Sequence, residues 1–200
     1  MNFIIFDTEY LSLSKNKSNY SSLIKYKNQM FPEIFQFSFI DVKFSKTTKI
    51  VKKNNYYLKT KKNIPLRLRR LTNLTRNASL KKIHINYFSR ILFKHLTNKK
   101  KVTLICNGKD VQLLKLNFNK NKIKLNIIVN YINLRKISKK LYNQAMNTSE
   151  LKKTINSKIR NHDAINDCKI IYLYLCRIKK SLGLNKFNNL LNSFAQTIKI

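Results

Sequence analysis

The first apolar run of the chain is short and almost unbroken. Residues 3–6 are all apolar and lead directly into Asp7. A run of this length without alternation is typical of a strand that is covered on both faces, so we predict a central strand at 3–7. The polar segment that follows, 11–30, is rich in Ser, Lys and Asn and predicts a surface loop.

A period of two then predicts a hairpin. Phenylalanines occupy alternate positions over 35–39 and are separated by polar residues, which indicates a second strand. A third strand is predicted over 48–58, and a turn at 41–47 would join the two. Pro65 ends this unit, because proline rarely continues a strand.

The later chain alternates strand and helix patterns. Apolar residues at helical spacing predict a helix from Leu80 to Leu96, and His84 and His95 beside that stripe are interpreted as polar surface residues. Further strands are predicted at 102–106 and 124–129, and further helices at 110–118, 134–146, 164–176 and 184–194. This order predicts an α/β fold with a mixed five-stranded sheet flanked by helices, in one domain spanning 1–200.

Charge makes this more than a generic α/β domain. The chain of 200 residues has 42 Lys and Arg but only eight Asp and Glu, which gives a formal net charge of +34. A surplus of this size attracts nucleic acid and makes binding sensitive to salt. Two alternatives stay open, because AT-rich codon usage also enriches lysine and an anionic membrane surface attracts the same charge.

The cysteines and the apolar runs indicate the cellular compartment of the protein. Cys106, Cys168 and Cys176 are odd in number and lie in apolar patterns, which favours core residues in a reducing compartment. No apolar stretch approaches the ~20 residues that span a bilayer, and the opening run is too short for a signal peptide. We therefore expect a soluble cytoplasmic protein without a membrane partner.

The few acidic residues lie where predicted strands end and helices begin. Asp7 and Glu9 are two positions apart on a strand, so their side chains point to one face. Asp110 follows the strand at 102–106, and Asp167 lies early in a helix, just beyond His162. Carboxylates suit Mg²⁺, and a histidine that titrates near neutrality suits a general base. Taken alone, acids at such positions are more often solubilising surface charges or residues that stabilise a helix N-terminus.

In the order Asp7-x-Glu9, Asp110 and His162-x-x-x-x-Asp167, these residues resemble the histidine-bearing branch of the DEDD exonucleases, DEDDh. That superfamily includes RNase T and the proofreading subunit of bacterial DNA polymerase III. The resemblance implies a ribonuclease H-like fold and a 3′-to-5′ exonuclease that releases mononucleotides from DNA or RNA. It also implies two Mg²⁺ or Mn²⁺ ions held by the four acids, with His162 as general base.

Softer matches extend the resemblance. Residues 33–37 are similar to the family's second strand, and Leu71-Thr72-Asn73-Leu74-Thr75 is similar to its Leu-Thr-Gly-Ile-Thr element near the substrate 3′ end. On this resemblance the expected substrate-binding residues are Thr8, Tyr10, Leu71 and Thr72.

The partners and the alternative function also follow from these patterns. Basic residues precede the Leu71 element and are expected to hold backbone phosphates, although such a run is also typical of a solvated face. They are Lys59, Lys61, Lys62, Arg67, Arg69 and Arg70. The alternative function is a basic nucleic-acid-binding module on a catalytically degenerate nuclease fold. Because some relatives are homodimers or polymerase subunits, a second copy and a polymerase both stay open as protein partners.

Overall fold

The computed structural model describes residues 2–11, 32–61, 63–72, 74, 81–98 and 102–200. Of the loop predicted at 11–30, only Leu11 falls within these ranges, and it belongs to the first strand. None of the helices in the described ranges is both long enough and apolar enough to cross a membrane.

After an opening set of three strands, strands and helices alternate through the middle of the chain, as the pattern predicts, and three further helices and a short strand follow. In chain order, the elements of the described residues are β1 (Asn2–Leu11), β2 (Glu33–Lys43), β3 (Lys49–Leu58), α1 (Leu66–Leu71), β4 (Lys82–Ile83), α2 (Ile85–Thr97), β5 (Val102–Cys106), α3 (Asp110–Lys120), β6 (Ile128–Asn133), α4 (Leu134–Tyr142), α5 (Thr148–Thr154), α6 (Ala164–Leu182), α7 (Leu184–Phe194) and β7 (Gln196–Lys199).

The seven strands form one mixed sheet in the order β4-β3-β2-β1-β5-β6-β7. β2 is antiparallel to both β1 and β3, whereas β5 is parallel to both β1 and β6. β1 therefore lies mid-sheet, and the mixed α/β sheet is confirmed. Within the described residues there are seven strands and not the predicted five, because two short edge strands are added: β4 beside β3 and β7 beside β6.

The hairpin turn lies later than the predicted 41–47. β2 continues to Lys43, so the turn falls at 44–48 and Asp41 lies inside the strand. Its Oδ1 is 2.9 Å from Nε2 of His95 on α2. His95 is therefore not a surface residue, since its side chain is only 13% exposed. The pairing satisfies an acid in a strand interior, where an unpaired one would be costly.

The helix predicted from Leu80 begins later, at Ile85. Lys82 and Ile83 instead pair with the end of β3 as the edge strand β4. Neighbouring backbone of β3 supplies these hydrogen bonds, and a helical apolar pattern does not reveal such a partner. Similarly, the strand predicted at 124–129 begins only at Ile128, and α4 ends before Asn143, which has a left-handed φ of 55°.

The two faces of β1 carry two hydrophobic clusters. Phe3 and Ile5 pack in the cluster that contains α6, whereas Ile4 and Phe6 pack in the cluster that contains α2 and α3. Because side chains alternate along a strand, Asp7 and the residue two further on continue the α6 face beyond the core. Thr8, between these two residues, points instead to the face that carries α2 and α3. The fold therefore directs the first two predicted acids toward α6.

Candidate active site

Three carboxylates from two elements meet above the end of β1. Asp7 and Glu9 project from the α6 face of β1, and Asp167 projects from the first turn of α6. One oxygen of each side chain lies within 4.8 Å of an oxygen of each of the others. A strand and a helix thus bring together residues that are 158 to 160 positions apart in sequence, by subtraction of the residue numbers.

The fourth predicted acid, Asp110, is tied to the same strand from the neighbouring side. Its Oδ1 accepts hydrogen bonds from the Thr8 hydroxyl at 2.7 Å and from the Thr8 backbone N–H at 3.2 Å. Asp110 begins α3 directly after β5, which is parallel to β1, so both strand ends reach the same edge of the sheet. Thr8, predicted to contact substrate, therefore holds Asp110 beside Asp7.

His162 stands at the entrance to α6, two residues before the helix. Its backbone is left-handed, with φ of 63°, a conformation that is uncommon for a residue with a side chain. Its N–H donates to Oδ2 of Asp167 at 3.3 Å, and its side chain is exposed. The other oxygen of Asp167, Oδ1, is buried and has no hydrogen-bond partner among the residues that the structure describes.

These residues line one cleft of about 440 Å³. Seven of the predicted site residues are part of its wall: Asp7, Thr8, Glu9, Tyr10, Asp110, His162 and Asp167. The rest of the wall was missed by sequence reasoning. It includes polar and basic residues from the β5–α3 turn, the start of α4, the N-cap and first turn of α5, and the loop between α5 and α6: Asn107, Lys109, Arg135, Asn147, Thr148, Ser149 and Asn161.

The missed wall has a local explanation. α5 is short and buries only Leu151, so it has no apolar stripe that would predict it. Its one sequence signal is the capping box of Asn147 and Glu150, in which each side chain bonds the backbone N–H of the other. Asn161 is fixed to this wall by a hydrogen bond from its amide to Ser149.

Leu71 and Thr72, also predicted to bind substrate, do not line this cleft. Leu71 is 39% exposed at the end of α1. Thr72 is buried, and its hydroxyl donates to the backbone oxygen of Leu68 at 2.8 Å, which closes the helix. The neighbouring residues Asn73 and Thr75 of the same element lie outside the described residues.

The clustered acids are poorly stabilised as anions. Burial, and then the negative charge of the other acids, raises the pKa of Asp7 well above its ordinary value. The same causes raise the pKa of Glu9 to about 8, and burial raises that of Asp167 to about 7 although the His162 N–H opposes it. Burial also raises the pKa of Asp110, against the Thr8 hydrogen bonds and the charge of Arg135.

This donor set fits divalent cations. All donors are carboxylate oxygens, which Mg²⁺ and Mn²⁺ prefer. Oδ1 of Asp167 is a buried acceptor without a hydrogen-bond partner in the described part of the chain, and burying such an atom costs free energy unless a donor or a cation contacts it. A bound cation would satisfy that oxygen and offset the mutual repulsion that raises the pKa values.

A second layer of polar residues fixes the segments around the acids. Asn133 donates to the backbone oxygen of Gly108 at 2.8 Å, which holds the turn before Asp110, and it also caps α4. On the other side, Gln36 of β2 donates to Oδ1 of Asp163 at 2.8 Å. Asp163 directly precedes α6, so this bond connects the start of that helix to the sheet.

The chain is similar to known exonucleases over most of its length. The model of the exonuclease family RNase_T matches residues 4–175. A search of curated proteins found no match.

Solved structures share the fold at low sequence identity. A full-length 3′-exonuclease is 14% identical with a TM-score of 0.70, and the alignment covers 90% of this chain and 82% of the exonuclease. A 3′-exonuclease that recognises the 3′ end of a histone mRNA stem-loop is 13% identical with a TM-score of 0.70, covering 100% and 90%. E. coli Exonuclease I with a dA16 oligonucleotide is 16% identical with a TM-score of 0.63, covering 94% and 42%. The sheet and its helices are therefore those of the ribonuclease H-like exonucleases.

Proposed function

This chain belongs to the exonuclease family RNase_T, and on that premise we propose that it removes mononucleotides from the 3′ end of nucleic acid strands by metal-dependent hydrolysis. The observation that carries the proposal is the convergence of Asp7, Glu9 and Asp167 within 4.8 Å, with Asp110 held beside them by Thr8. A chain with only eight acidic residues has half of them in one cleft.

We propose that the four acids hold two divalent cations, with Asp7 shared between them. Asp7, Glu9 and Asp167 would bind the ion on the side of the attacking water, and Asp110 together with Asp7 would bind the other. The chemistry that bound Mg²⁺ or Mn²⁺ supplies is stabilisation of the charge that develops on the scissile phosphate and on the leaving 3′ oxygen.

His162 is proposed to act as the general base. An imidazole nitrogen takes the proton of the attacking water, the water oxygen forms a bond to phosphorus, and the bond from phosphorus to the 3′ oxygen breaks. The 3′ oxygen keeps the electron pair of that bond and takes a proton from solvent water. The products are a nucleoside 5′-phosphate and a strand that is one residue shorter and ends in a 3′ hydroxyl. The N–H of His162 bonds Asp167, so the base and a proposed metal ligand are positioned by a single contact.

Removal from the 3′ end is supported by the related structures, two of which are of 3′-exonucleases. One of these recognises an RNA stem-loop, and Exonuclease I was solved with a DNA oligonucleotide, so we propose nucleic acid as the substrate class without choosing the sugar. The net charge of +34 agrees with such a substrate.

The test uses single-stranded DNA and RNA labelled at either end, with Mg²⁺, with Mn²⁺ or with a chelator. We expect a 5′-labelled strand to shorten one nucleotide at a time and a 3′-labelled strand to lose its label in the first product, only when metal is present. Asp7→Asn should abolish both, and Asp41→Asn, a matched change of another buried aspartate, should preserve them.

Two results would contradict the proposal. Shortening from the 5′ end would overturn the polarity. Tight, salt-sensitive binding without any metal-dependent product would instead favour the catalytically degenerate binding module.

A further inference from the structure

A second pocket, of about 370 Å³, lies on the same edge of the sheet as the acidic cleft. It is lined by Lys59, Thr60, Asn63, Ile64, Arg69 and Lys82. Three of these six side chains are cationic and exposed, and no acidic side chain of the described residues lines the pocket. The pocket therefore has the composition of a site for an anion.

The sheet fixes the pocket's position relative to the acids. Glu9 pairs with Gln36, Gln36 with Tyr57 and Tyr57 with Lys82, so these four residues form one row across β1, β2, β3 and β4. Adjacent strands are about 4.8 Å apart, so three steps separate Glu9 from Lys82 by roughly 14 Å. That span corresponds to about four nucleotides at the ~3.4 Å stacked rise, and to fewer in an extended strand.

One helix connects the pocket to the loop of the proposed general base. α1, which carries Arg69, packs through Leu68 on the apolar cluster of Phe35, Tyr57, Ile64 and others. Its end is bonded to the loop that carries His162, because Arg160 donates to the Arg70 backbone oxygen at 2.7 Å. The cationic pocket and the loop of the proposed general base are therefore linked through α1.

We propose that this pocket binds a backbone phosphate of the substrate strand, a few nucleotides from the 3′ end that enters the acidic cleft. This inference rests on the proposed function for the identity of the strand. Lys59 and Arg69 of the basic run that precedes Leu71 are proposed to contact this phosphate, together with Lys82, which lies outside that run. The cations supply phosphate contacts without reading bases, so the pocket strengthens binding of any sequence.

The experiment compares two variants that remove the same charge. Lys59→Gln, Arg69→Gln and Lys82→Gln are combined in the pocket variant. Lys52→Gln, Lys53→Gln and Arg90→Gln are combined in the control, because these exposed residues lie away from this edge, on β3 and α2. Binding of a dinucleotide and of a strand of roughly ten nucleotides is measured by fluorescence anisotropy with a chelator present.

We expect the pocket variant to bind the longer strand about tenfold more weakly, as for removal of charge-assisted hydrogen bonds to one phosphate, and the dinucleotide less than about twofold more weakly. Its slope of log affinity against log salt should fall by about 0.7 for each phosphate that the variant no longer neutralises. A single uncharged methylphosphonate moved along the strand should weaken wild-type binding at one internal linkage and leave the pocket variant unaffected there.

Equal decreases in affinity in the two variants, or a methylphosphonate profile that the pocket variant shares with the wild type, would overturn this inference. Hydrolysis is measured separately, on the dinucleotide with Mn²⁺. Failure of all three proteins to hydrolyse it would contradict the proposed function, while the binding comparison would still decide whether the pocket holds a phosphate.

Discussion

Asp41 and Asp7 are both buried aspartates on adjacent strands, but they face opposite sides of the sheet and have different neighbours. Asp41, on the α2 side, is 4% exposed and has the His95 ring nitrogen at 2.9 Å. Asp7, on the α6 side, is 8% exposed and is surrounded by other carboxylates. Asp41 therefore has a hydrogen-bonding partner, whereas Asp7 lies among other negatively charged groups.

The comparison distinguishes Asp41, which stabilises the fold, from Asp7, whose surroundings are explained by its proposed catalytic role. A buried carboxylate with a hydrogen-bonded partner costs little, whereas a cluster of buried carboxylates destabilises a protein unless a cation joins it. A chain that keeps such a cluster retains an unfavourable arrangement in its metal-free state. Substitutions on the two sides should therefore differ in the size of their effect on activity and should have opposite effects on stability.

The largest difference is expected in activity. Asp167→Asn should lower the rate of mononucleotide release by about a thousandfold or more, because it removes a proposed metal ligand from the centre of the site. Asp41→Asn should change the rate by less than about threefold, since Asp41 contacts His95 on the other side of the sheet and does not line the cleft. Initial rates with saturating Mn²⁺ measure both, and comparable decreases in the two variants would erase the distinction.

A smaller decrease is expected when His162 is changed. His162→Ala should slow hydrolysis by about a hundredfold, which is the contribution that one general base typically makes. Binding of the strand should be unchanged. A variant that keeps the wild-type rate would show that another group takes the proton. His84→Ala, a change of an exposed histidine at the start of α2, is the control.

Stability of the metal-free protein should move in opposite directions. At about pH 9, above the pKa of about 8 that burial and neighbouring charges give Glu9, Glu9→Gln should raise the free energy of unfolding by about 1 kcal/mol because it removes a buried charge. Asp41→Asn should lower it by about 1 kcal/mol because its contact with His95 weakens. Denaturant melts with a chelator measure both, and destabilisation by Glu9→Gln would contradict the account.

The pH dependence of stability should sharpen the same contrast. Glu9 and Asp167 have raised pKa values in the folded protein, about 8 and about 7, so they hold protons that the unfolded chain has released. Their contribution to the free energy of unfolding is therefore unchanged below about pH 4, falls as pH rises toward about 8, and is flat above that. The double variant Glu9→Gln with Asp167→Asn should lack this fall, and saturating Mg²⁺ should reduce it in the wild type.

The convergence of the acids follows from local rules. Two positions on one strand share a face, which brings Asp7 and Glu9 together, and the ends of parallel strands reach one edge, which brings Asp110 to them. Asp167 follows because an apolar stripe on α6 orients the helix over that face. The steps for Asp7, Glu9 and Asp167 depend on periodicity, which the sequence displays directly, whereas the step for Asp110 also needs the parallel pairing of β1 and β5.

The features that escaped prediction depend on partners distant in sequence. His95 and Asp41 are 54 residues apart, and nothing in either pattern indicates the other. β4 is two residues long and forms only because β3 offers an edge, so its residues match a helical pattern equally well. The α5 wall escaped for a different reason, because a short helix with one buried residue has no periodicity to detect.

The central claim is that the acids of the cleft act together as one divalent-cation site, and Mn²⁺ binding followed by electron paramagnetic resonance tests it most directly. The account predicts that the wild type binds two Mn²⁺ ions whose spins are coupled at roughly 3.5–4 Å, that Asp7→Asn abolishes the coupling, and that Asp41→Asn preserves it. Absence of bound Mn²⁺ in the wild type, or coupling that survives Asp7→Asn, would contradict it.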